Sequence, residues 1–347
     1  MLKRLHGKNV LLFMLLISAS YSTVSAQDNE LFRLGNKTNS GEGFSLYPDQ
    51  YLEFIANDFG FEDRVFWIGR DDVKADFPYV LPGPKNGWGG TGPTAGIRSH
   101  FLNLGFVLDG ASGVAGKLKI DLADTDSLHA PHLKVLVNGK DFQFKLKKGA
   151  GLALEKGMGT SGSAQSIEIP LEETILQNGL NHISISVLDG GWIAFDQISL
   201  ASSLSPELIK PQGAVIGEVN PAEYQLEGSG APVQPLLVEI FHLDDEPEMR
   251  VMLDGVNILT QKLEEGKYLL EAGMPSVEQE TKSIYEILVD GKPVKKGEIL
   301  RSPQPTQGLS GYVNTLLGTA HSRWMIAPGP WMPFGMVKLS PDNQNSG

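Results

Sequence analysis

This sequence is expected to fold as an all-β chain, and three observations lead there. Short alternations of apolar and polar residues recur along most of its length, as strands with one buried face require. The dipeptides Asn138-Gly139, Asp254-Gly255 and Asp290-Gly291 follow such runs directly, and both positions of a two-residue hairpin turn favour residues that accept positive φ. Prolines and glycines punctuate the intervals between runs. Many short strands separated by turn signals point to jelly rolls and sandwiches. A length of 347 residues gives room for two such domains, or two and a fragment.

Taken in order, the elements are these. Lys3, Arg4 and Lys8 precede an apolar run at 10–17, and Val24, Ser25 and Ala26 offer the small residues a signal peptidase reads. Residues 1–26 are therefore expected to be a signal peptide, and the mature chain to be exported, to a periplasmic or extracellular location. A retained anchor is the alternative. No later stretch reaches about 18 uninterrupted apolar residues, so no transmembrane segment is expected after cleavage. Residues 27–63 read as an approach segment with a turn at 39–43. Strands are expected at 65–69, 101–108, 116–122, 131–137, 140–146, 165–169, 182–188 and 192–200, with a long loop at 78–96 rich in proline and glycine. These make residues 64–201 one jelly-roll domain. Residues 202–235 hold Pro206, Pro211, Pro221, Pro232 and Pro235 and read as a linker with room for one edge strand. Residues 236–305 carry strands at 237–243, 250–253, 267–271 and 283–289 and read as a small immunoglobulin-like β-sandwich. From 306 to 347 another module begins.

Composition removes several function classes. With 29 basic and 41 acidic residues the net charge is −12, and neither sign forms a long run, which argues against nucleic acid as a partner. There is no cysteine, so no disulfide framework helps the fold. No Gly-x-Ser-x-Gly elbow, helical zinc pair or phosphate loop occurs, and no acidic residue sits in a setting that singles out a pair for acid–base work. No catalytic residue is expected in this chain.

Candidate binding residues are aromatic, because flat rings suit the apolar C–H faces of sugars. Trp88 stands between Gly87 and Gly89 in the long loop, where a ring is readily presented; a lid packed on the sandwich edge is the other reading. Tyr79, Trp67 and Trp192 are further candidates, the two tryptophans lying on expected strands where core packing is the alternative. Near the C-terminus, residues 312–343 read as an irregular loop held by Pro328, Pro330 and Pro333 with a strand at 336–340 near its end, and in the loop His321, Arg323 and Trp324 sit as candidate contacts, each equally placed for packing. Asp121, Asp124 and Asp126 are spaced loosely like oxygen ligands for a structural calcium, or else form a solvated loop. His242 with Asp244 and Asp245 offers a metal cluster or a strand end followed by an acidic turn.

Two resemblances add to this. Trp67 to Asp71, Leu118 to Ala123, Val135 to Gly139, Asn178 to Ile183 and Phe195 to Leu200 together resemble the galactose-binding-like jelly roll that forms the third domain of family 4 rhamnogalacturonan lyases. That likeness implies carbohydrate binding. The order Val313 and Asn314, Gly318 and Thr319, Pro328 and Gly329, Pro333 to Val337, then Leu339 to Asp342 resembles the opening of a glycoside hydrolase family 92 module. This second likeness implies a calcium-dependent, inverting exo-alpha-mannosidase, of which the chain would carry only the first strand and loop. The calcium ligands and catalytic carboxylates would then lie outside these residues. Between Thr319 and Pro328 the sequence departs from the family pattern, which is richer in glycine and histidine. The expected role is that of the exported, glycan-binding N-terminal portion of such an enzyme, with a glycan or mannoside as partner; the alternative is a non-catalytic glycan-binding or scaffold protein.

Overall fold

The computed structural model describes residues 29–47, 61, 64–86, 99–151, 163–226, 233–244 and 247–303. The chain divides into two compact units, Met1–Pro211 and Gln212–Gly347. Expected features at 1–28, Trp88, and everything from 304 onward, including His321, Arg323 and Trp324, lie outside the described residues.

The first unit is built from β1 (Asn29–Gly35), β2 (Val65–Trp67), a single helical turn α1 (Val73–Asp76), β3 (Val80–Leu81), β4 (Phe101–Asp109), β5 (Gly116–Thr125), β6 (His132–Val137), β7 (Lys140–Lys145), β8 (Gln165–Leu171), β9 (Gly179–Asp189), β10 (Ile193–Ser202) and β11 (Glu207–Ile209). A five-stranded sheet runs β1-β10-β5-β8, with β3 also on β10. A six-stranded sheet runs β11-β4-β9-β6-β7, with β2 parallel to β4. Alternation decides the core. Leu102, Leu104, Phe106 and Leu108 of β4 face Leu118, Ile120 and Leu122 of β5 across it, while the odd-numbered positions of β4 look outward.

The approach segment is a correction. Residues 29–47 belong to the jelly roll: Phe32 and Leu34 of β1 enter the core, and Phe44 packs its ring 5.6 Å from that of Phe77 and 6.0 Å from that of Phe195. Phe77 in turn meets Phe66 edge-on at 5.3 Å. Such ring pairs are worth about 0.5–1.5 kcal/mol each beyond their buried area, so this segment contributes to the domain's centre.

The second unit comprises β12 (Ala214–Pro221), β13 (Val233–His242), β14 (Glu248–Leu253), β15 (Val256–Lys262), β16 (Gly266–Pro275), β17 (Thr281–Val289) and β18 (Lys292–Arg301). Its sheets run β12-β13-β16 and β15-β14-β17-β18. About half of the described residues of the expected linker are strand, and the prolines at 206, 211, 221 and 235 fall where no amide is needed. Pro206 and Pro211 flank β11, Pro221 closes β12, and Pro235 uses its carbonyl to accept from the Ala222 amide.

Three hairpins have the expected two-residue turns. Asn138 and Gly139 take φ of 47° and 82°, Asp254 and Gly255 49° and 80°, Asp290 and Gly291 48° and 75°. The space around Gly139 is open, so an added methyl meets no atom within 4 Å and only the backbone angle resists it. Gly139→Ala is expected to lower stability by about 1 kcal/mol, read as a lower urea midpoint for the first unit with an unchanged slope. The Asp254 carboxylate accepts from the Ile284 amide at 2.8 Å, and this bond above all holds its pKa below the ordinary carboxylate range. A depressed folded-state pKa stabilises above the unfolded value and is lost as pH falls through the folded one. Unfolding midpoints of the second unit should therefore drop on acidification below about pH 4, and Asp254→Ala should flatten that slope.

Candidate functional site

Strand direction collects the long connections of the first unit at one end. There β4, β6, β8 and β10 begin and β5, β7 and β9 finish, so the connections 82–100, 126–131, 146–164 and 190–192 all leave from it. The backbone at Ser45 runs toward the same end, since it bridges Pro78 in parallel just before β3.

Two carboxylates organise this end. Asp124 is fully buried, and its Oδ1 accepts from the amides of Thr125 (2.9 Å), Ala150 (2.8 Å) and Ser163 (3.1 Å). The last two bonds reach across the 146–164 connection. Asp126 accepts from the Leu128 and His129 amides, both at 2.7 Å, and from the Asn86 side chain at 3.3 Å. Gly191 lies so close that a methyl there would come within 2.2 Å of the Asp126 carboxylate. Asn86 also accepts from the Gly83 amide at 3.0 Å, while the Lys85 amide donates to the Gly190 carbonyl at 3.0 Å. The stem of the connection that carries Trp88 is thus clamped to the β9–β10 turn.

Neither sequence reading of the Asp121, Asp124 and Asp126 series describes this. All three are buried, and Asp124 and Asp126 accept from backbone amides. Asp121 lies 3.4 Å from the Lys37 ammonium and 3.7 Å from that of Lys119. His242 has both ring nitrogens against carbonyl oxygens, those of Glu264 and Asp244, which occupy the directions from which a metal would approach. Asp245 lies outside the described residues. Among the described residues no group of three acidic or histidine side chains is placed to hold a metal ion.

The structure places the remaining aromatic candidates as follows. Tyr79 is fully buried, with its ring edge-on to Tyr47 at 5.8 Å, and Trp192 belongs to the same core. Trp67 is 5% exposed and lies on the outer side of the six-stranded sheet, its ring covering the bare backbone of Gly105. Their rings are given to packing.

At the β2 edge of the loop end is a feature that sequence reasoning missed. A cavity of about 50 Å³ lies between Phe61, Arg64, Asp76 and Asn103, with Phe66 and Phe77 among its walls. The Arg64 guanidinium stands 5.5 Å from the Phe61 ring centroid. That volume admits the hydroxylated edge of a ring rather than a whole one, and the charged and amide groups at its rim supply donors and acceptors. The signal available was slight: Asp72 caps α1 by accepting from the Lys74 amide at 2.9 Å, and the turn so begun presents Asp76.

Comparison with known proteins supports the jelly-roll assignment. Residues 30–200 match the CBM-like domain III of polysaccharide lyase family 4. The span begins within β1, in agreement with the place of that strand in the sheet, and it ends before residues 312–343, on which the family 92 likeness rests. No curated protein matches the chain. Among solved structures, a family 35 carbohydrate binding module from an environmental isolate is 18% identical, over 29% of this chain and 64% of that one, with a TM-score of 0.20. The family 35 module of Cellvibrio japonicus Abf62 is 14% identical over 33% and 72%, with a TM-score of 0.23. A GH2 beta-galacturonidase from Eisenbergiella tayi is 7% identical with a TM-score of 0.21, over 58% of this chain and only 34% of its own. Among the described residues no helix is long and apolar enough to cross a membrane.

Asp124→Ala would strip three amides of a shared acceptor in a buried place. A loss of about 3 kcal/mol is expected, with faster hydrogen exchange confined at first to the amides of Ala150 and Ser163.

Proposed function

We propose that the first unit is a glycan-binding domain that takes its ligand at the loop end. The observation that carries this is convergence: on a jelly roll matching a CBM-like family, the long connections and the rim of Arg64, Asp76 and Asn103 share one end. Buried carboxylates hold the stems of those connections, so less ordering remains for a ligand to impose. Trp88, carried between Asn86 and Ser99, is the aromatic platform in this reading.

The wider role is that of an exported attachment module for a glycoside hydrolase, raising the local concentration of its substrate. Assignment to a calcium-dependent alpha-mannosidase rests on the motif at 313–342 alone, and a mannoside is the first ligand to try on that basis. A non-catalytic glycan-binding protein is the competing reading, and an assay separates the two. Release of aryl from an aryl alpha-mannoside in the presence of calcium should be absent for these 347 residues and appear when the polypeptide is extended downstream. Turnover by the chain as it stands would contradict the placement of the carboxylates elsewhere.

For binding, Arg64→Ala and Trp88→Ala should each weaken glycan affinity about tenfold, or roughly 1.4 kcal/mol, in titration calorimetry. Because Arg64 is exposed, its variant should melt like the parent chain. Unchanged affinity in both variants would move the site away from the loop end.

A further inference from the structure

We propose that the outer face of the six-stranded sheet is a track for an extended, uncharged saccharide chain, running along β9 and joining the loop-end pocket at Asn103. The inference rests on the glycan-binding reading and adds a second surface to it.

Strand register defines the track. On β9 the outward positions Ser184 and Ser186 carry short side chains. Ser186 is opposite Phe101 of β4 and Lys134 of β6, and Ser184 is opposite Asn103 and Leu136. Two strand spacings of about 4.8 Å put these flanking rows about 10 Å apart, across a floor of hydroxyls. Phe101 is 40% exposed, and Leu188, the next outward residue of β9, is 38% exposed. The sheet thus leaves an aromatic ring and an aliphatic side chain unburied beside hydroxyl donors and acceptors, the pairing that a sugar's C–H faces and hydroxyl edges require.

Charge selects among occupants. Lys134 is paired with Asp141 at 3.1 Å, and the Gln143 amide donates to the same carboxylate at 3.2 Å. The walls therefore present no unbalanced charge, which favours a neutral chain over a polyuronate. Serines between the exposed apolar groups prevent a continuous apolar patch of the kind a protein partner would cover. The track has a closed end, where Trp67 fills the gap over Gly105 beside His182, which is opposite Gly105 in the register. At its other end it opens by Leu188 toward the connections already described. Asn103 belongs to both surfaces, lining the pocket and standing opposite Ser184.

The test uses the full chain, Phe101→Ala to remove the ring, and Ser186→Arg to fill the floor with a long side chain. Mobility in gels containing soluble mannan or rhamnogalacturonan is read together with calorimetric titration of mannose. Each variant is expected to bind mannan at least fivefold more weakly while its mannose affinity and melting temperature stay at wild-type values. Wild-type binding of mannan by both variants, equal loss of mannose and mannan affinity, or a tenfold preference for the acidic polymer would each overturn the track and leave the loop-end site standing. So would a dimer in sedimentation that Phe101→Ala dissociates, since the face would then belong to a second copy. If the wild-type chain binds neither polymer nor mannose, the glycan-binding reading falls and the track with it.

Discussion

A carboxylate buried without partners is costly enough that a protein normally neutralises or satisfies it. The loop end of this jelly roll is arranged around two that are satisfied by backbone amides. Asp124 gathers the amides of Thr125, Ala150 and Ser163, and Asp126 those of Leu128 and His129 together with the Asn86 side chain. Together these bonds tie three connections, 82–100, 126–131 and 146–164, to the end of β5. Gly191 completes the arrangement by having no side chain where the Asp126 carboxylate lies. Because these bonds belong to the folded domain, the stems of its longest connections are fixed before any ligand arrives. The cost of ordering them upon binding falls accordingly.

The core beneath depends on the N-terminal segment as much as on the later strands. Phe44 and Phe77, from either side of β2, close on Phe195 of β10, and Phe32 of β1 meets the Phe106 ring edge-on at 5.3 Å. A buried Asp196 beside this cluster accepts from the Thr38 and Ser40 amides, so the turn after β1 is pinned to the sheet it edges. Fold and site are coupled here. The same segment supplies Phe66 and Phe77 to the walls of the pocket whose rim holds Arg64 and Asp76.

What the sequence disclosed follows from the range over which each signal acts. Hairpin turns at Asn138, Asp254 and Asp290 are decided by the φ preferences of two adjacent residues, and they read directly. Strands such as β4 and β9 announce themselves by alternation, whichever partner they find. β1 and β12 fall in stretches that read as an approach segment and a linker, and they become strands because β10 and β13 pair with them, a fact of topology rather than of local pattern. The carboxylates were misread for a similar reason. Spacing at the end of β5 shows that Asp124 and Asp126 are near one another, whereas Asp124 depends on amides from residues 150 and 163, and Asp126 on the Asn86 side chain, that only the folded chain brings close.

The same distinction governs the aromatic residues. Ring type and a glycine-rich surrounding nominate a tryptophan, but strand parity and cover decide whether its face meets solvent. Trp67 has outward parity yet is consumed by the gap over Gly105, and Trp192 and Tyr79 are taken by the core. Phe101 has the same outward parity two strand positions away, opposite the short Ser186 side chain, where nothing comparable covers it. A lone glycine in β4 therefore does two things to the outer face: it buries the larger ring and ends the groove beside it. The smaller ring at the start of the strand is left as the exposed one, so the polar floor of β9 is bounded at one side by an aromatic edge and stopped at one end by a packed indole.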